Sequence, residues 1–264
     1  MKTLQDLLNA EGSHSLFGTW SQMSSPDVLE MLGSAGFDFT VIDCEHAAFG
    51  VETAQDMVRV CRGAGLVPLV RVPTNDRSWI GRCLDAGATG IIVPGVESAA
   101  QAQSAVDAAL FAPRGSRGSC PCVRSAEHTT ANWPEYEVAQ ELMHGILALV
   151  ETGEGVKNIE SICAVKGLRA IVAGPFDLSV SLGHHGNVLH DDVLSSLHKV
   201  VKAVQAAKLP IFMPVFSADV EEGRRQVDVW RGLGIRHFMV GSDKILIKDQ
   251  FNMLRIGMIS ALFP

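Results

Sequence analysis

Four charged stations in this sequence stand at the ends of short apolar runs. Asp43-Cys44-Glu45-His46 follows Thr40 to Ile42, Arg71 closes PLVRVP, Glu151 follows ILALV, and Asp177 follows AIVAGPF. Other runs end on Trp20-Ser21-Gln22, Glu97, Thr152, Ser217 and Ser242-Asp243. Asp43-x-x-His46 has two readings: a helix-start cap beside a surface histidine, or an imidazole held in one tautomer by a carboxylate for proton transfer near neutral pH. Arg71 lies within an apolar run, where an unpaired guanidinium is costly. It either pairs with a buried carboxylate for structure or binds an anion bidentately and stabilises an oxyanion. Glu151 and Asp177 end adjacent expected strands, which lie about 4.8 Å apart in a parallel sheet. Two such carboxylates can share one cation, and oxygen ligands with open positions suit Mg²⁺ or Mn²⁺. Asp177 alone would equally serve as a helix cap.

These stations need a scaffold that gathers strand ends. A junction recurs in which a helical pattern meets a Gly or a short loop and then a β-branched run: GSAGFDFTVID, CRGAGLVPLVRV, LDAGATGIIVP, VKGLRAIVAG, AKLPIFMPV and LGIRHFMVG. The runs (40–42, 67–72, 91–93, 170–172, 211–215, 237–240) are largely continuous and apolar rather than alternating, as in parallel strands buried on both faces. Leu16 to Trp20 and Ile146 to Val150 bring the number to eight. Amphipathic stretches at Ser25 to Ser34, Glu52 to Arg62, Asp76 to Asp85 and Val156 to Val165 read as helices, and Ser25 before Pro26 is a helix start. Alternation of this kind predicts an α/β fold, a single-domain (β/α)8 barrel over 1–264 with its active site at the C-terminal strand ends. A doubly wound sheet is the second choice. The irregular stretch Ala112 to Trp133 is long enough to expect a function for it.

Composition narrows the classes. The chain has 264 residues, 47% hydrophobic and 19% charged, with a net charge of −7. No basic stripe with interleaved aromatics suggests nucleic-acid binding. No run approaches the roughly 20 apolar residues that span a bilayer. The first dozen residues, MKTLQDLLNAEG, lack a signal-peptide apolar region. A cytoplasmic protein with reduced thiols is expected. Cys120-Pro-Cys122 lacks partners at zinc-finger spacing. His184-His185 reads as a solvated loop pair, and Gly241-Ser242-Asp243-Lys244 is a weak phosphate cradle with a single Gly.

Together the motifs GTW (18–20), IDCEH (42–46), LVRVP (69–73), LDAGATGIIVP (84–94), APRGSRG (112–118), VET (150–152) and AGPFDLSVSLG (173–183) resemble the HpcH/HpaI aldolases, class II metal-dependent pyruvate aldolases. The resemblance implies a barrel of the phosphoenolpyruvate/pyruvate-binding type. It makes Glu151 and Asp177 the ligands of Mg²⁺, Mn²⁺ or Co²⁺, His46 the proton acceptor and Arg71 the transition-state stabiliser. It assigns Asp85 to raising the basicity of the histidine, whereas spacing alone reads Asp85 as a helix-end surface residue and Asp43 as the orienting group. Backbone N–H groups of Phe176 and Asp177 would hold the pyruvate carboxylate, and Trp20 would wall the pocket. Three departures border the substrate: Leu149 where the family often has Gln, Phe176 where it has a small residue, and the Cys-bearing loop RGSCPCVRSAEH.

The implied reaction is reversible cleavage of 4-hydroxy-2-oxo acids to pyruvate or hydroxypyruvate and an aldehyde, through an enolate that the cation stabilises. No Schiff-base lysine is needed, and among the expected strand ends only Lys244 offers one. A citrate-forming condensation of the enolate with a keto acid is the alternative, and a non-catalytic keto-acid-binding barrel a remoter one. The family also implies a homo-oligomer, a hexamer of dimers exchanging the last helix. The apolar stretch Phe251 to Phe263 would dock on a neighbour or cover its own barrel.

Overall fold

Continuous apolar runs become the staves of a closed parallel barrel in the computed structural model, which describes residues 3–9, 15–217 and 219–262. The strands are β1 (Leu16–Ser21), β2 (Phe39–Asp43), β3 (Val67–Arg71), β4 (Gly90–Val93), β5 (Gly145–Val150), β6 (Leu168–Ala173), β7 (Ile211–Val215) and β8 (His237–Ser242). Each pairs with the next in sequence, and β8 returns to β1. Every residue of β2, β3, β4, β5 and β7 is buried, as strands covered on both faces require.

The two faces feed two cores. Trp20, Phe39, Leu69, Leu147, Leu149, Val172, Phe212 and Met239 fill the barrel interior. The alternate residues, such as Ile42, Val70, Ile91 and Ile171, pack against the surrounding helices. Small residues make room for large ones: a Cβ on Gly18 of β1 would lie 2.3 Å from the Phe39 ring. A short helix, Leu4–Asn9, sends Leu4 and Leu7 into the interior cluster. Leu4 reaches Gly90, the first residue of β4, so this helix plugs the N-terminal end.

Most expected helices form. Pro26–Ser34 starts on Ser25, whose hydroxyl accepts from Val28 N–H, and Arg77–Asp85 starts on Asp76, which accepts from Trp79 N–H. Gly36, at φ 86°, turns the chain from the first of these towards β2. The expected helix from Val156 to Val165 is instead two, Gly153–Lys157 and Ile159–Cys163. Asn158 breaks it, because its side-chain amide donates to the Glu97 carbonyl (2.8 Å) and holds the turn against the chain after β4.

The segment after helix Ala99–Ala109 runs elsewhere than expected. Arg117 donates to Asp85 and Arg124 to the Ala86 carbonyl, while Phe111, Ala126 and Tyr136 form a small core of their own. Asp85 and Ala86 end a helix that has returned from the strand C-termini, so within one chain this loop does not border the mouth. Phe263 and residues 10–12 of the N-terminal stretch lie outside the described residues.

Candidate active site

Strand register sets the first contact. Asp43 and Arg71 are direct partners at the C-terminal ends of β2 and β3, so their side chains leave neighbouring strands on the same face. Arg71 Nε donates to Asp43 Oδ1 (2.9 Å) and Nη2 to Oδ2 (2.7 Å), a bidentate pair with a carboxylate that is fully buried. Its third nitrogen, Nη1, lies 3.0 Å from Glu45 Oε2, and the guanidinium lies over the Trp20 ring at 4.2 Å from its centroid. Planar delocalised charge suits both kinds of partner.

Asp43 also accepts from the backbone N–H groups of Glu45 (3.1 Å) and His46 (3.3 Å) and from the Gln22 amide (2.8 Å). Burial alone would raise its pKa, but the Arg71, Gln22 and His46 donors outweigh burial and hold the carboxyl below its usual range. The His46 contact of Asp43 is thus to the backbone N–H, while the carboxylate's other partners are Arg71, Gln22 and the Glu45 N–H. Asp43 caps the turn and clamps Arg71, with its acceptor sites already taken. The His46 ring stands at the rim, largely exposed, with Nε2 3.9 Å from Glu45 Oε2.

Asp85 is likewise bound elsewhere. Its carboxylate takes Arg117 Nη2 at 2.6 Å, and it lines an outer cleft with Glu52, Arg82 and Arg124 rather than meeting His46 of the same chain. The spacing-based reading as a helix-end residue holds within one chain.

Opposite Arg71, β5 and β6 run side by side with Val150 partnered to Ala173, which sets Glu151 beside Gly174. A Cβ on Gly174 would meet the Glu151 Cβ at 2.7 Å, so only glycine lets the carboxylate lie there. Glu151 Oε1 accepts from Gly95 N–H (2.9 Å) after β4. Burial, then repulsion from Asp177 and Glu45, lifts the Glu151 carboxyl to about 7 against the opposing Gly95 hydrogen bond and Arg71 charge. Glu45 is raised as well, first by burial and then by Asp43 and Asp177, against Arg71 and His46.

Asp177 sits in the first turn of helix Pro175–Ser181. The N–H groups of Phe176 and Asp177 belong to that turn, where no intrahelical acceptor is available. Leu149 is buried in the interior cluster with Trp20 and forms the floor. Carboxylate oxygens gathered at one rim, with Glu45 and Glu151 raised mainly by burial, are a donor set suited to a hard divalent cation.

Two groups named only as members of strand-end runs take parts that the sequence did not assign them. Glu45 sat in a strand-end motif but showed nothing to mark it as the second carboxylate on Arg71. Asp243, buried after β8, accepts backbone N–H bonds from Gln22 (3.0 Å), Met23 (2.9 Å) and Lys244 (2.7 Å). A carboxylate occupying that corner leaves no place for the phosphate weakly suggested by Gly241 to Lys244. The His184 ring, expected to be solvated, stacks on His190 at 3.5 Å and lies 2.9 Å from Asp192 Oδ2.

Comparison with known proteins follows the same outline. The family model described as HpcH/HpaI aldolase/citrate lyase matches residues 16–241. The chain belongs to that family. Members similar to it include the 5-keto-4-deoxy-D-glucarate aldolase of Shigella dysenteriae serotype 1 (strain Sd197), 34% identical over 226 residues, which cover 86% of this chain and 85% of the relative. The HpcH/HpaI aldolase of Desulfitobacterium hafniense DCB-2 superposes with a TM-score of 0.87 at 29% identity, over 98% of this chain and 97% of the other. The citrate synthase SbnG gives 0.83 at 28%, over 98% and 97%. As an HpcH/HpaI family member, the chain is a carbon–carbon lyase of the aldolase type. No helix among the described residues is long and apolar enough to cross a membrane.

Proposed function

We propose that the protein is a divalent-metal-dependent aldolase that reversibly cleaves 4-hydroxy-2-oxo acids to pyruvate, or hydroxypyruvate, and an aldehyde. The observation that carries this reading is Arg71, fixed by Asp43, Glu45 and Trp20 on the rim that Glu151 shares. Glu151 and Asp177 would hold Mg²⁺, Mn²⁺ or Co²⁺, which supplies Lewis acidity to the keto-acid oxygens when bound.

The chain's own groups do the rest. Backbone N–H groups of Phe176 and Asp177 receive the carboxylate of the keto acid, as helix starts do for anions. Trp20 walls the pocket and Leu149 floors it. Arg71, held by its two carboxylates, presents guanidinium charge to the oxygen that becomes anionic as the carbon–carbon bond breaks. His46 at the rim takes the proton of the 4-hydroxyl in cleavage and returns it in synthesis. Asp43 acts by positioning Arg71.

The likeness to a citrate synthase favours a second reading, in which the same enolate adds to a keto acid. The assembly we propose is a cytoplasmic homo-oligomer, a hexamer built from helix-exchanging dimers of one-domain chains. Its support is helix Asp243–Leu262, which leaves Phe251, Met253, Leu254 and Met258 exposed beside an apolar groove of about 1190 Å³ lined by Phe17, Phe37 and Val227.

Proton–deuterium exchange at the pyruvate methyl, followed by NMR in D₂O, tests enolate formation without choosing an acceptor. Exchange supported by Mn²⁺ and abolished by a chelator is expected. No exchange with any divalent metal would remove the reading.

A further inference from the structure

Two phenylalanines stand at the mouth with their rings half in solvent. Phe176 follows β6 and is 50% exposed; Phe216 follows β7 and is 42% exposed. Since β6 and β7 are paired neighbours, both rings rise from one side of the strand ends. Single exposed apolar residues are ordinary, whereas a group of them at a binding mouth marks what it binds.

Each ring is backed by structure. Phe216 stacks on Trp20 with centroids 6.2 Å apart, and Trp20 in turn carries the Arg71 guanidinium at 4.2 Å, so an aromatic wall runs from the anion-stabilising group to solvent. Phe176 lies against Gly186, where a Cβ would come within 2.8 Å of the ring. The loop bearing Gly186 is pinned by the His184–His190 stack and by Asp192. Ser217, the next polar group on this side, turns its hydroxyl to the Asp219 carbonyl (2.7 Å).

Charge points the same way. The Arg71 guanidinium is already matched by Asp43 and Glu45. A second carboxylate on the incoming aldehyde would lie beside the Glu45 carboxylate, with Glu151 and Asp177 committed to the cation that binds the keto acid.

We infer that the acceptor half of this site takes aldehydes bearing an apolar, preferably aromatic, group, and disfavours polyhydroxylated or acidic ones. The inference rests on the aldolase reading above. In the synthetic direction the pyruvate methyl carbon gives up a proton and bonds to the aldehyde carbon, and the aldehyde oxygen gains a proton. The aldehyde substituent is then left over Phe176 and Phe216, where ring–ring contact replaces water.

The test compares kcat/KM for benzaldehyde and D-glyceraldehyde with pyruvate and Mn²⁺, in the wild type, Phe176→Ser and Phe216→Ser. The ratio is independent of the fraction of active protein. The wild type is expected to favour benzaldehyde by about tenfold or more, and each substitution to shrink that ratio by about five- to tenfold, in line with pocket discrimination of apolar groups. Preference for glyceraldehyde, or a ratio unmoved in both variants, overturns the inference. Methyl exchange in the wild type separates the two levels. Exchange without a benzaldehyde adduct refutes the acceptor class alone, and no exchange removes the aldolase reading together with it.

Discussion

Replacing Glu151 with Gln separates the charge of this side chain from its shape. The amide keeps an oxygen for Gly95 N–H and nearly the same volume beside Gly174. In the folded chain the carboxyl is lifted from 4.5 to about 7, mainly by burial and then by Asp177 and Glu45. The folded state therefore binds the proton more tightly than the unfolded state. Metal-free stability is full below the unfolded value and falls as pH rises towards 7. Over the span from 4.5 to about 7, at about 1.4 kcal/mol per pH unit, the loss has a ceiling of about 3.5 kcal/mol. In chelator at pH 8, Glu151→Gln should be more stable than the wild type by up to about that amount, and the two should converge near pH 4.5. Mn²⁺ at a thousand times its Kd should reverse the order, since it then adds about 4.1 kcal/mol to the form that binds it. Urea unfolding by circular dichroism between pH 4.5 and 8, at fixed protein concentration, reads both effects. Parallel curves for the two proteins in chelator, or an equal Mn²⁺ gain in both, would refute the reasoning.

Arg71→Lys leaves Asp43 with a point charge in place of a two-pronged partner, and kcat should fall about 10²–10³-fold with unchanged circular dichroism, the scale of losing an oxyanion donor. Gly174→Ala pushes a methyl to 2.7 Å from the Glu151 Cβ and 3.0 Å from its Oε2, and calorimetric Mn²⁺ titration should show affinity weakened about tenfold or more. Asp243→Ala strips the shared acceptor from Gln22, Met23 and Lys244, and should cost about 1–3 kcal/mol in urea unfolding. Phe251→Asp with Leu254→Asp should lower the mass seen by light scattering, because both side chains are about two-thirds exposed on the terminal helix.

The strands were legible because they are largely apolar on both faces and most follow a glycine-bearing helix end. The barrel follows from their number, and the expected runs agree with β1 to β8 to within a few residues at each end. The position of the stations at strand ends was legible for the same reason. Hydrogen-bond partnership was not. Whether Asp43 serves His46 or Arg71 depends on the register of β2 against β3, which spacing along one chain does not express. Asp85 meets Arg117, 32 positions away, through a loop with no regular period. The break at Asn158 depends on the Glu97 carbonyl, a partner 61 positions distant. Leu4–Asn9 is only six residues long, too short for an amphipathic period to mark it.

The hold of Asp243 on Gln22 and Met23 has a consequence for how the protein comes into being. It joins the end of the last strand to the end of the first, at the same rim where β2, β3, β5 and β6 present the proposed site. During synthesis, Asp43, Arg71, Glu151 and Asp177 have all emerged before this clasp exists. A nascent chain halted ahead of β8 would thus own all four of these side chains yet present them on an open, curling sheet. Competence should arrive as a late, single event, when the final stave closes the hoop.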